Sequence, residues 1–154
     1  AIYKGWYSDM ARTYPVGKVS EEAERLIKAA KESFFEGLKY CKAGNHLSDV
    51  SHAIQKRVEE DGFGVIRDYV GHGVGLELHE QPSIPNYGKP GRGPKLEKGM
   101  VLAIEPMISV GTYEVDVLDD GWTAVTRDRK YAAHYENTVV ITDGAPEVIT
   151  LLQE

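Results

Sequence analysis

The sequence predicts an α+β domain in which two amphipathic helices pack against a mostly antiparallel sheet. Three observations lead there. Apolar residues recur with helical period between Ala23 and Val58. Beyond residue 62 the pattern changes to short β-rich runs punctuated by Gly, Asp and Pro. Of the 154 residues, 42% are hydrophobic, enough to bury one core of ordinary size.

The opening stretch, Ala1 to Asp9, reads as a β-hairpin, with Ile2-Tyr3 and Trp6-Tyr7 flanking a Lys4-Gly5 turn. A domain seldom begins inside a hairpin, so residues are expected to have preceded Ala1. Pro15-Val16-Gly17 signals a turn, Ser20 is placed to cap a helix, and Glu21 and Glu22 sit where the helix dipole favours anions. The stripe Ala23, Leu26, Ile27, Ala30, Phe34, Leu38 and Cys41 forms the first helix, with Gly44 as its stop. A second helix is expected from about Ser48, burying Val50, Ile54 and Val58 and ending at Gly62. Strands are expected at Val65-Ile66, Met100 to Ile104, Tyr113 to Leu118, Trp122 to Thr126 and Tyr135 to Thr142, with Pro85 to Pro94 as a loop.

Composition excludes several functions. The longest apolar run, Met100 to Ile104, falls far short of the ~20 residues of a membrane span. A net charge of −6 without a dense Lys/Arg cluster argues against a nucleic-acid partner. The single cysteine, Cys41, cannot form an internal disulfide, and no basic segment leads into an apolar one at the start, so the cytoplasm is the expected compartment.

Four segments carry the candidate chemistry. Asp9 falls by strand alternation on one face with Tyr7 and Ala11. In Gly71-His72-Gly73-Val74-Gly75 three glycines surround a histidine, which permits positive φ and close backbone approach, and His79 follows seven residues after His72. Glu105 closes the apolar run before Pro106, which biases its backbone toward extension, and Glu136 enters the β run Asn137 to Ile141. Each carboxylate alone reads as a solvated charge. Gathered together, Asp9, His72, Glu105 and Glu136 offer three carboxylates and one imidazole, a donor set suited to Mn, Fe(II), Co or Zn and to metal-assisted hydrolysis. His79, off the metal, could donate a proton or bind an oxyanion.

The segments 71–80, 99–108, 120–126 and 133–142 resemble type I methionine aminopeptidase, and the likeness runs through nearly the whole chain in family order. That resemblance implies the pita-bread fold, two divalent metal ions, and removal of the initiator methionine from new polypeptides. Carried over by position, it implies Asp9, His72, Glu105 and Glu136 as metal ligands, with the two Glu or Asp9 bridging. It implies His79 as a catalytic, substrate-binding residue at the scissile peptide, and Leu78 and Trp122 as walls of the methionine pocket. The partner implied is the N-terminus of a nascent polypeptide, met near the ribosome, with no nucleic acid or membrane involved.

The family carries a further Asp ligand, which here would fall ahead of Ala1, and a first half with much of the pocket. Residues 1–154 are therefore expected to form a single metallopeptidase catalytic domain lacking the N-terminal half, monomeric or paired with that piece, with an impaired metal site. Alternatives are cleavage before proline, as in Xaa-Pro aminopeptidases and prolidases, or a non-catalytic binding module of the same fold.

Overall fold

The computed structural model describes residues 1–151. The expected hairpin forms: β1 (Ile2–Tyr3) pairs antiparallel with β2 (Trp6–Tyr7). Its turn needs positive φ at Lys4 and Gly5, at 50° and 85°. Helix α1 (Glu21–Leu38) starts where its side chains dictate, the Ser20 hydroxyl accepting from the Ala23 amide at 3.2 Å. It ends before Cys41, earlier than the stripe suggested. The chain turns over residues 39–45 to reach α2 (Leu47–Glu60), and Cys41 is buried in that turn rather than on the helix. Burial pushes its thiol up to about 12, which leaves it an inert packing group.

The helices cross at Gly37, where a Cβ would stand 2.7 Å from Ile54 Cγ1. Their buried faces, with Leu26 and Phe34 from α1 and Ile54 and Val58 from α2, join one core with Ile108, Ala133, Val139 and Ile141 from the β region.

The β structure comprises β3 (Gly64–Val65), β4 (Gly71–Gly73), β5 (Glu80–Ile84), β6 (Val101–Ile104), β7 (Met107–Ser109), β8 (Val115–Val117), β9 (Ala124–Thr126), β10 (Ala132–His134), β11 (Asn137–Val140) and β12 (Glu147–Val148). Every pairing among the described residues is antiparallel. A five-stranded sheet has the order β12-β11-β6-β4-β5, a three-stranded one the order β10-β7-β3, and β8 and β9 form a separate hairpin. The residues from Pro85 to Pro94 are a loop, as expected. Strands β4, β5, β7, β10 and β12 were not expected. Each has no more than five residues, too few for alternation to show.

One feature of the ladder positions the site. Strands β6 and β11 pair Ile104 with Asn137, and β7 and β10 pair Met107 with His134. The two pairings share a register across the step from one sheet to the other, so Glu105 lies opposite Glu136 at the crossing.

Candidate metal centre

The structure brings together the four residues the sequence singled out. His72, on β4, is paired with Ala103, two residues before Glu105 and on the same side of β6. Its Nε2 stands 3.4 Å from Glu105 Oε1 and 4.0 Å from Asp9 Oδ2. Donor atoms of Asp9, His72 and Glu136 lie within 4.8 Å of one another, as do those of Glu105, His134 and Glu136.

Asp9 reaches this cluster by a route other than strand alternation. It lies beyond β2, in an extended segment laid along residues 134–138. The Asp9 amide donates to Thr138 Oγ1 at 3.0 Å, and the Thr138 hydroxyl donates to the Asp9 carbonyl at 2.8 Å. The Glu136 amide donates to the Ala11 carbonyl at 2.9 Å. Arg12 donates to the Glu136 carbonyl and to Asn137 Oδ1, and its guanidinium sits 4.0 Å from the centre of the Tyr135 ring.

Of the two properties expected of the glycines around His72, positive φ is absent and close backbone approach is present. None of Gly71, Gly73 and Gly75 has positive φ. They are required by close approach: a Cβ at Gly71 would stand 2.4 Å from the Ala103 carbonyl oxygen, and one at Gly73 would stand 2.3 Å from that of Gln81. Two neighbouring backbones press against β4, and the imidazole between the glycines is driven into the centre.

The cluster fits a cation. His72 Nδ1 donates to the Gly73 carbonyl at 2.8 Å, so Nε2 is the ring nitrogen turned toward the carboxylates, the one a metal would take. Glu136 is 4% exposed, and its Oε1 is buried with no hydrogen-bond partner. An orphaned carboxylate oxygen beside two further carboxylates is a costly arrangement that a divalent ion relieves. Burial, then repulsion from Glu105 and Asp9, push the Glu136 carboxyl up to about 8, against a smaller opposing pull from Arg12.

That shift has a sign. Between its ordinary 4.5 and about 8 the folded metal-free chain holds a proton on Glu136 that the unfolded chain has released. The associated stability is complete below 4.5 and is lost as pH rises through 8. In EDTA the urea midpoint should therefore fall from pH 5 to pH 9, by on the order of a few kcal/mol at most, and Glu136→Gln should flatten the slope. Metal affinity should rise over the same interval, because the ion displaces that proton.

The expected substrate residues fare unequally. His79 is exposed beside the cluster, its ring edge-on to His72 with centroids 4.4 Å apart. It lines an open cleft with Val70, His72, Gln81 and Ser83. Leu78 is half-buried next to it. Trp122 is 88% exposed on the β8–β9 turn and, in the described residues, does not wall that cleft. Sequence reasoning missed His134, whose signal was available: it sits two residues before Glu136, and so on the same strand face.

Against known proteins, the profile of metallopeptidase family M24 matches residues 1–143. A methionine aminopeptidase of Clostridium acetobutylicum is 59% identical over 153 residues, covering 99% of this chain and 61% of that protein. The crystal structure of a methionine aminopeptidase from Thermotoga maritima superposes with a TM-score of 0.96 at 53% identity, covering 98% of this chain and 61% of that one. A prolidase from Pyrococcus horikoshii superposes with a TM-score of 0.75 at 25% identity, covering 99% of this chain and 38% of that one. The chain thus spans about three fifths of the length of the aminopeptidases it resembles.

Proposed function

This chain belongs to metallopeptidase family M24, and on that premise we propose that it serves the metal-dependent removal of N-terminal methionine from new polypeptides. The observation that carries the reading is the clustering of Asp9, His72, Glu105 and Glu136, with Glu136 common to both sets of converging donors and keeping a buried oxygen without a hydrogen-bond partner. Identity of 59% to a methionine aminopeptidase, against 25% to a prolidase, favours methionine over cleavage before proline.

In this reading Asp9, His72, Glu105 and Glu136 would hold divalent cations, two by family resemblance. Bound there, divalent ions polarise a peptide carbonyl and lower the pKa of water. The chain's own residues do the rest. The Gly73 carbonyl keeps His72 in its ligating tautomer. Arg12 holds the Glu136 backbone from behind. His79, at the open side of the cluster, hydrogen-bonds the scissile peptide and its developing oxyanion. In the hydrolysis the water oxygen joins the carbonyl carbon, the C–N bond breaks and the departing amine takes up a proton. Leu78 and Trp122 are assigned to the methionine pocket by family resemblance alone. The setting is cytoplasmic, with nascent chains as partner. No helix among the described residues is long and apolar enough to cross a membrane.

Peptide assays on the gene product test this. Met-Ala-Ser should be cleaved and Xaa-Pro peptides left intact; the reverse preference would make this a prolidase-like enzyme. His79→Ala should lower kcat by roughly 100-fold or more while leaving bound metal unchanged. Full turnover in that variant would restrict His79 to packing.

A further inference from the structure

The Glu105 carboxylate is spanned by two imidazoles. Oε1 faces His72 Nε2 at 3.4 Å, and Oε2 faces His134 Nε2 at 3.3 Å. The ring of His134 is about one third exposed, yet its Nε2 is buried and has no aligned hydrogen-bond partner. An outward-facing strand histidine would do the opposite, with its nitrogens in water. The backbone of His134 is fixed from both sides by Thr13, whose hydroxyl donates to the His134 carbonyl at 3.0 Å and accepts from its amide at 2.9 Å. This aims the ring along the face that Glu136 occupies.

We propose that His134 is a positioning residue: its Nε2–H donates to Glu105 Oε2 and sets the rotation of that carboxylate, so that Oε1 is presented to the cation. This inference rests on the metal-centre reading above. Glu105 needs such a restraint. Asn86 Nδ2 fixes its backbone carbonyl at 3.0 Å, but the last side-chain torsion of a glutamate is broad and has no staggered well to hold it. A hydrogen bond to the far oxygen removes that freedom.

The two histidines differ in tautomer. His72 has its Nδ1–H committed to the Gly73 carbonyl, which leaves Nε2 bare for a metal. Among the described residues no such anchor holds Nδ1 of His134, so its hydrogen is free to reside on Nε2. In a loaded centre the bare His72 Nε2 would face the cation, whereas His134 Nε2 faces the far oxygen of Glu105 at 3.3 Å, where an N–H is attracted. The role needs no charge on the ring. It makes His134 an outer partner of the centre, and the loss of such partners typically weakens metal binding by roughly 10–100-fold.

Titration of the gene product with Mn(II) by calorimetry tests the idea. His134→Leu should weaken binding by roughly 10–100-fold, while His134→Gln, whose amide can donate to the same oxygen, should restore it. Equal affinity in wild type and His134→Leu would overturn the proposal. Nitrogen-15 NMR of histidine-labelled chain gives a readout that needs no folded variant. His134 Nε2 should appear as a protonated ring nitrogen both in EDTA and with Zn(II). A metal-bound or unprotonated Nε2 would overturn the positioning role. If the wild-type gene product takes up no Mn(II), the metal-centre reading fails, and the spectrum in EDTA still decides whether Nε2 donates.

Discussion

Replacing Glu136 with alanine is expected to abolish peptide hydrolysis in the gene product while leaving the chain folded. Glu136 appears in both sets of converging donors, so its loss damages both at once. Because loss of an outer partner already costs roughly 10–100-fold, loss of this shared carboxylate should cost more than roughly 100-fold in kcat/KM and remove bound metal. The fold should survive because the carboxylate contributes no stabilising hydrogen bond through Oε1 and is crowded by Glu105 and Asp9. Glu136→Gln, nearly isosteric, should be as stable as wild type without metal and more stable at pH 9, where wild type has lost its proton. His72→Ala should likewise abolish turnover. Metal analysis, peptide turnover and urea melts of the same samples check these expectations. Normal turnover in either alanine variant would show that the cation is held elsewhere.

A single methyl group at Gly71 or Gly73 is expected to have the second large effect, this time through the fold. The added Cβ would meet a backbone oxygen at 2.4 Å in the first case and 2.3 Å in the second. Backbone oxygens in a paired sheet cannot swing aside as a side-chain tip can, so β4 itself must move away from β6 or β5. Overpacking of this kind costs about 1–3 kcal/mol. The displacement would also carry His72 from the carboxylates, so metal affinity should fall together with the urea midpoint. Gly75→Ala is the control. There the Cβ would meet the Glu80 carboxylate at 3.0 Å, the mobile end of a side chain, and the penalty should be much smaller. Equal stability of the three variants would refute the close-approach account.

The residues of the candidate centre were partly legible before any fold was known. The glycine-flanked histidine and the glutamates entering apolar runs are unusual in their local settings, but each alone reads as a turn or a solvated charge, and the resemblance to the aminopeptidase family is what picks them out as a set. The helices were legible too, since Ser20 caps the first and apolar spacing spans both. Long-range geometry was hidden. Asp9 is tied to Thr138, 129 positions away, and no local pattern reports such a bond. The glycines pointed to the right place for a partly wrong reason, because the need for a missing Cβ comes from neighbouring strands rather than from the turn they form. His134 escaped notice because its spacing from Glu136 carries no meaning in the sequence until Glu105 is seen opposite Glu136.

The amino-acid sequence by itself determined which donors exist, where the helices begin and that one core could form, since these depend on side chains within a few positions of one another. Tertiary structure alone decided that the carboxylates face one another, that Asp9 joins them and that His134 stands behind Glu105. The physical reason is the ladder register: antiparallel pairing converts distant positions into opposed ones, and only the assembled sheet sets which residues meet.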